Sequence, residues 1–161
     1  MEIREATESD WEAIWPFFRE IVLAEETYAY DPEMSETDAR GMWMVGLPGI
    51  TLVAVSDGAV VGSANAYANR PGPGDHVASA SFMVDPAHAG RGAGRALGEA
   101  VLAGATAAGF DAIQFNAVVE TNERAVALWQ SLGFEIIGTV PEAFRRPDGT
   151  LTGLHVMHRR L

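Results

Sequence analysis

Three glycines alternate with other residues over Gly90–Gly94 in the stretch "VDPAHAGRGAGRALGEAVL", Val84–Leu102. They separate an apolar run from a long Ala- and Leu-rich segment that predicts a helix. The first turn of a helix carries unpartnered backbone N–H groups and the positive end of the helix dipole, and glycines let a bulky anion approach closely. The stretch therefore predicts an anion cradle suited to phosphate, with Arg91 and Arg95 adding positive charge. The alternative is a flexible loop followed by tight helix packing.

Two familiar phosphate-binding loops do not fit this stretch. The P-loop ends in Gly-Lys-Ser/Thr, a triplet that the chain lacks. The Rossmann fingerprint Gly-x-Gly-x-x-Gly fails because a count from Gly90 ends at Arg95 and a count from Gly92 ends at Leu97. That fingerprint also follows the first strand of a parallel sheet, whereas this stretch follows a predicted hairpin. A nucleotide-dependent oxidoreductase is therefore disfavoured.

Asn116 is the polar residue that stands out elsewhere, because it interrupts the apolar strand pattern "IQFNAVV", Ile113–Val119. Strand interiors disfavour Asn, and a buried amide needs partners. Either Asn116 faces a cleft and binds a substrate carboxylate or amine, or neighbouring backbone satisfies its amide. The four His residues show no metal-ligand spacing, since His155 and His158 lie three apart on a predicted strand and face opposite ways. We predict no metal site.

Apolar periodicity predicts the elements that position these residues. A strand within Met1–Ala6 precedes a helix that begins after "TESD" and contains Pro16, which predicts a kink or a break. A second helix runs from "SETD" to about Val45. The other predicted strands are Ile50–Val55, Ala59–Ala68, His76–Val84, Phe110–Val119, Phe134–Val140 and Thr152–Leu161, with helices to about Ala108 and over Thr121–Leu132. This order predicts a mixed sheet flanked by helices, with a βαβ unit around the glycine stretch.

Length and composition exclude several classes of protein. The 161 residues suit one domain, 1–161. The net charge of -11 would repel nucleic-acid backbones and anionic membranes, so we expect neither partner. The absence of Cys excludes disulfides, thiolate nucleophiles and Cys-bound metals, and fits the cytoplasmic location that we expect. No run approaches transmembrane length, and "MEIREATESD" has no apolar signal core.

The glycine stretch resembles the acyl-CoA pyrophosphate motif of the GNAT N-acetyltransferase superfamily, which follows a strand and usually reads Arg/Gln-x-x-Gly-x-Gly/Ala. Gly92 and Gly94 match its last two places, whereas Ala89 stands where Arg or Gln is usual. The segment "TNERAVALWQSLGFEIIG", Thr121–Gly138, is similar to the family's Asn-x-x-Ala helix followed by Leu-Gly-Phe and a strand. The resemblance implies a mixed α/β fold. Its mostly antiparallel sheet would have six to seven strands, flanked by helices and splayed at an acyl-CoA cleft.

Acetyl-CoA is the co-substrate that the resemblance implies, and transfer would proceed by direct attack of an amine on the thioester through a tetrahedral intermediate. A backbone N–H near Met83 or Val84 could stabilise the oxyanion. The residues implied for acetyl-CoA are the backbone of Phe82, Met83 and Val84 for the pantetheine arm, Gly90, Arg91, Gly92, Ala93, Gly94 and Arg95 for the pyrophosphate, and Asn122 for the other side of the arm.

The groups that would move protons stay open. Many family members carry a Tyr where this chain has Trp129, and an indole cannot donate a proton at neutral pH. The CoA thiolate then leaves unprotonated, takes a proton from water, or takes one from a tyrosine elsewhere in the chain. The candidate acids are Tyr28, Tyr30 and Tyr67, and the candidate bases are Glu25, Glu26 and Glu120, for each of which a solvated surface role is the alternative. The catalytic set favoured from the sequence is Asn116, Glu26 and Tyr30.

Within the superfamily the chain resembles small-amine and amino-acid N-acyltransferases, including phosphinothricin-type and proline-analogue acetyltransferases. The resemblance rests on "EETYAYDPEMSETD", "NRPGPGDHVASASFMV", "FNAVVETNERA" and "GTVPEAF". It implies a small-molecule amine acceptor, with Ser79, Asn116 and Glu120 as substrate-binding candidates. Ser79 stands where some phosphinothricin-type enzymes have a Glu. Two alternatives remain, an acyl-CoA-binding module without catalysis and a protein or peptide acetyltransferase. Dimers are common among such relatives, so a homodimer is expected.

Overall fold

A seven-stranded sheet forms the centre of the structure, a computed structural model that describes residues 1–161. Its strands are β1 Glu2–Glu5, β2 Ile50–Ser56, β3 Ala59–Ala68, β4 Val77–Val84, β5 Ala112–Val119, β6 Glu135–Arg145 and β7 Leu151–Arg160. The helices are α1 Trp11–Leu23, α2 Glu36–Trp43, α3 Ala93–Ala107 and α4 Glu123–Ser131. The predicted mixed α/β fold and its order of elements are confirmed.

The strand order is β1-β2-β3-β4-β5-β7-β6, and every neighbouring pair is antiparallel except β4 and β5. These two parallel strands pair only at Val77 with Ala112 and Ala78 with Ile113, after which they diverge. The connection between them passes through α3, as a parallel crossover requires. The divergence is the splay that the family resemblance implied, and it opens a cleft toward the carboxyl ends of β4 and β5.

Pro16 does not break α1, contrary to one of the two outcomes expected from the sequence. The helix runs without interruption from Trp11 to Leu23, with the side chains of Ile14, Phe17 and Phe18 buried. Burying each such side chain contributes about 1.5–3 kcal/mol, which together exceeds the cost of roughly 3 kcal/mol for a proline inside a helix. Packing against the sheet therefore overrides the local preference.

Two clusters of buried apolar side chains lie around the sheet. One joins α1 and α2 to the sheet around Phe18 and Trp43, and the other joins α3 and α4 to it around Leu97 and Phe115. Helices α3 and α4 approach closely at Gly98, where an added Cβ would lie 2.8 Å from Leu132 Cδ1. This close approach brings the starts of both helices to the cleft.

The entry to α1 is held by an ion pair. Both guanidinium nitrogens Nη1 and Nη2 of Arg4 donate to the Asp10 carboxylate at 2.8 Å, and Thr7 donates to it through its backbone N–H and its hydroxyl. These bonds, that from Arg4 foremost, hold the pKa of Asp10 well below its usual value. At the opposite edge of the sheet, β6 has one neighbouring strand and exposes Ile137 and Val140. No helix is long and apolar enough to cross a bilayer.

Candidate active site

Two adjoining compartments fill the cleft between β4 and β5. The cradle compartment, about 750 Å³, lies at the end of β4 and the starts of α3 and α4. The tyrosine compartment, about 300 Å³, lies between the middles of β4 and β5 and the segment that follows α1. The residues that line both are Thr27, Tyr28, Phe82, Asn122, Ala125 and Trp129. A donor bound in one compartment and an acceptor bound in the other would therefore meet at these side chains.

The glycine stretch forms the wall of the cradle compartment. Gly90 and Gly92 adopt φ values of 79° and 91°, in the left-handed region that favours glycine, and Gly92 is the N-cap of α3. None of the backbone N–H groups from Gly90 to Arg95 has a hydrogen-bond partner in the protein. Consecutive free N–H groups at a helix start bind anions, so the predicted phosphate cradle has the geometry it needs.

Two arginines from different helices border the cradle. Arg95 on α3 donates to Ser131 Oγ at 2.8 Å and lies 3.7 Å from Glu99, so part of its charge is already matched. Arg124 on α4 forms no ion pair, and its Nη2 lies 3.5 Å from the place that a Cβ on Gly90 would take. Sequence reasoning missed Arg124, although it is the second residue after Asn122 in the Asn-x-x-Ala segment. Arg91 is exposed and does not line the compartment.

Tyr28 occupies the gap-facing edge of β4. Its hydroxyl accepts from the Phe82 N–H at 2.9 Å and donates to the Phe82 carbonyl at 2.6 Å, which satisfies both backbone groups. Met83 pairs with Ser63 of β3, and strand alternation leaves the backbone of Val84 facing the gap. Of the three residues that the resemblance assigned to the pantetheine arm, Val84 therefore keeps free backbone groups.

Asn122 reaches the cleft from the opposite side. It is the N-cap of α4, and its Oδ1 accepts from the Ala125 N–H at 3.3 Å. That bond orients the side chain, while Nδ2 has no partner in the protein and the residue lines both compartments. An amide fixed in this way can donate to a carbonyl of a ligand lying along β4.

The tyrosine compartment is aromatic and hydroxyl-rich. Tyr28 and Tyr30 pack with ring centroids 4.9 Å apart, and Tyr67, Ser79 and Ser81 continue the polar surface along β3 and β4. Burial raises the pKa of the Tyr28 hydroxyl above its usual value and does the same for Tyr30, where a contact with Ser81 acts in the opposite direction. Both phenols therefore stay protonated at neutral pH and serve as hydrogen-bonding groups rather than bases.

Trp129 forms the apolar wall where the compartments meet. The residue is 7% exposed, and the centroid of its ring lies 4.5 Å from that of Phe82 and 5.0 Å from that of Phe115. The indole N–H has no hydrogen-bond partner in the protein. At the position where many family members carry a Tyr, this chain therefore presents a packed, apolar surface.

The structure separates the other candidate residues. Asn116 lines the tyrosine compartment, but its amide already accepts from Gln114 Nε2 at 2.9 Å and donates to Asn69 Oδ1 at 2.7 Å. Side chains, rather than the expected neighbouring backbone, thus supply its partners. Glu26 lines the cradle compartment, away from Tyr30 in the other.

Glu120 lies outside the lining of both compartments. Its Oε2 accepts from the Gly153 N–H at 3.0 Å, and an added Cβ at Gly153 would lie 2.6 Å from that oxygen. The carboxylate is thus a structural partner of β7 in this structure. Beside it, His155 is buried with Nδ1 2.7 Å from Thr139 Oγ1, and no group of three or more His, Asp or Glu side chains is arranged to hold a metal ion.

This geometry has a counterpart among known proteins. The sequence model described as the acetyltransferase (GNAT) family matches residues 11–134. The chain belongs to the GNAT acetyltransferase family. The resemblance inferred from the glycine stretch and the Asn-x-x-Ala helix is therefore confirmed.

Solved structures of GNAT proteins match almost the whole chain. A GCN5-related N-acetyltransferase from Kribbella flavida is 62% identical, with a TM-score of 0.96 over 99% of this chain and 97% of that one. A phosphinothricin acetyltransferase from Sinorhizobium meliloti, solved in complex with acetyl-CoA, is 26% identical, with a TM-score of 0.91 over 99% of this chain and 88% of that one. The N-acetyltransferase aca1 of Schizosaccharomyces pombe is 38% identical over 77 residues, which are 48% of this chain and 37% of that relative. The matched region thus spans little more than a third of the fission-yeast protein.

Proposed function

We propose that this GNAT acetyltransferase moves the acetyl group of acetyl-CoA to the amine of a small molecule. The observation that carries the proposal is the run of unpartnered N–H groups at Gly90–Arg95, opening onto a cleft whose second compartment holds about 300 Å³. A volume of this size suits a small acceptor. The acetyl-CoA bound to the Sinorhizobium meliloti relative supports the choice of donor.

The cradle would hold the pyrophosphate through its N–H groups, with Arg124 and Arg95 adding charge. Val84 and Asn122 would hold the pantetheine arm from its two sides, because the Val84 backbone groups and the Asn122 Nδ2 are free and line the cleft. Placing the donor in this way directs the acetyl group toward Phe82 and Trp129, where the compartments join. Orientation of two reactants alone can supply about 7–11 kcal/mol of a reaction barrier.

The transfer forms a C–N bond and breaks the C–S bond of the thioester. The ammonium first loses one proton to solvent, and the free amine attacks the thioester carbonyl. The tetrahedral intermediate loses a second N–H proton to solvent as CoA leaves as the thiolate, which stays unprotonated or takes a proton from water. Of the N–H groups of Phe82, Met83 and Val84, only that of Val84 is free, so it would stabilise the oxyanion while the Val84 carbonyl holds the arm. Trp129 favours one competing function, an acyl-CoA-binding module without catalysis, because it removes the usual proton donor.

The test is thiol release from acetyl-CoA over free amino acids, phosphinothricin, simple amines and short peptides. We expect acceptor-dependent release with small molecules and none with peptides. Release with peptides alone would favour a peptide acetyltransferase, and binding of acetyl-CoA without release would favour the non-catalytic module.

The site itself is tested by reversing one charge. Arg124→Glu places a carboxylate at the cradle and should weaken acetyl-CoA binding at least 10-fold. Arg145→Glu, the same charge change on β6 and outside both compartments, is the matched control and should leave the affinity unchanged. Equal affinities for the two variants would contradict the cradle assignment. The homodimer stays a prediction, which sedimentation velocity of the chain would check.

A further inference from the structure

The tyrosine compartment has no charged side chain in its lining. Its walls consist of aromatic rings, hydroxyls, amides and aliphatic groups, without any Asp, Glu, Lys, Arg or His. This is unusual for a site built for an amino acid, whose carboxylate normally meets a cation. The feature is also unexpected in a chain with 22 acidic residues, because none of them faces this compartment.

A carboxylate would meet no counter-charge there. Burying an ionised group without a counter-charge costs several kcal/mol. Arg95 and Arg124 line the other compartment, where the cradle is. Arg70 follows Asn69, whose side chain bonds Asn116 at the compartment edge. The Arg70 guanidinium instead donates to the Asn69 carbonyl at 2.9 Å and is not part of the lining.

An amine, in contrast, finds suitable surroundings. Tyr28 and Tyr30 give the compartment an aromatic lining for the apolar body of an amine, and the hydroxyls of Ser79, Ser81 and Tyr67 can accept hydrogen bonds from its N–H groups. Moving the ammonium out of water favours its neutral form, because burial disfavours the charged state. The only titratable side chains that line this compartment are Tyr28, Tyr30 and Tyr67. Burial raises the pKa of the Tyr28 and Tyr30 hydroxyls, so both stay protonated.

We propose that the acceptor is a small amine with an apolar body and no carboxylate, and that burial in the tyrosine compartment, rather than a carboxylate base, makes its free amine available. The inference rests on the proposed function and narrows its acceptor. The proton leaves to solvent past Tyr67, which is 37% exposed at the opening of the compartment. Phosphinothricin and the free amino acids are then poor acceptors, in spite of the similarity to a phosphinothricin acetyltransferase.

The effect of a carboxylate on the acceptor is tested with three compounds that share one apolar body: 3-methylbutylamine, leucinamide and leucine. They differ only in bearing hydrogen, a neutral amide or a carboxylate beside the amine. Comparing kcat/KM for each, divided by its fraction of free amine at the assay pH, removes differences in amine basicity. We expect both neutral compounds to exceed leucine at least 100-fold. Leucine equal to or better than leucinamide would overturn the inference and leave the proposed function standing, whereas no release with any amine in the wider panel would overturn both.

A designed cation provides the second arm. Asn116→Arg introduces a guanidinium at an exposed position that lines the compartment, and should raise the leucine-to-leucinamide ratio of kcat/KM at least 10-fold. Asn116→Gln keeps the amide and should leave the ratio unchanged. Arg70→Gln should also leave it unchanged, since Arg70 does not contact the acceptor. A fall in the ratio on Arg70→Gln would show that this arginine binds the carboxylate, and would contradict the inference.

Discussion

Replacing Tyr28 by Phe removes one hydroxyl that makes two hydrogen bonds to the backbone of Phe82. The change leaves the ring in place, so the aromatic contact with Tyr30 is kept. A buried backbone group that loses its partner costs about 1–3 kcal/mol, and water entering from the cleft would recover part of the loss for the second group. We therefore expect the free energy of unfolding to fall by about 1–3 kcal/mol, which for a chain of this size lowers Tm by roughly 2–12 °C.

Urea and thermal unfolding of the free protein measure this change. Tyr67→Phe is the matched control, because Tyr67 is 37% exposed and its hydroxyl bonds no backbone group, so its unfolding free energy should change by less than about 0.5 kcal/mol. Acetyl-CoA affinity should stay within about 3-fold for Tyr28→Phe, since the arm is expected to use Val84. Equal stabilities of Tyr28→Phe and wild type would refute the structural role of this hydroxyl. A large gain in acetyl-CoA affinity would show that the arm competes with it for Phe82.

Three further expectations test other parts of the structure. Arg124→Gln should weaken acetyl-CoA binding about 10-fold by calorimetry, as expected for the loss of one charged hydrogen bond. Arg95→Gln should weaken binding less, because Ser131 and Glu99 already contact the Arg95 guanidinium. A larger loss for Arg95→Gln than for Arg124→Gln would contradict this. Since its ion pair lowers the pKa of Asp10, the free energy of unfolding should fall as the pH drops below about 4, and Asp10→Asn should flatten that part of the profile. Gly98→Ala should destabilise by about 1–3 kcal/mol in urea through overpacking, while Gly104→Ala, with open space around it, should not.

The sequence predicted most elements because local patterns and tertiary packing agree over them. It underestimated β6, predicted over Phe134–Val140 and observed over Glu135–Arg145. The added part contains Pro141, which cannot donate to a neighbouring strand, and a register shift between Val140 and Phe144 accommodates it in this edge strand. Sequence patterns likewise could not show that α1 continues through Pro16, because burial of neighbouring apolar side chains outweighs the free-energy cost of a proline inside a helix.

The loop conformation and the helix start at the glycine stretch could be predicted because contiguous residues form them. Phosphate binding there stays a prediction. The remainder of the site depends on residues far apart in the chain. No local pattern indicates that Tyr28 bonds Phe82, that Arg124 borders Gly90, or that Glu120 turns away toward Gly153. These contacts arise from the splay of β4 and β5, which only the assembled sheet reveals.

The central claim is that the chain catalyses acetyl transfer in this cleft. It is tested most directly by measuring thiol release from acetyl-CoA together with the acetylated amine formed, using 3-methylbutylamine as acceptor. The account predicts one N-acetylated amine per thiol released, with a rate that falls strongly in Arg124→Glu at subsaturating acetyl-CoA. Thiol release without acetylated product, or binding of acetyl-CoA with no release for any amine, would contradict it.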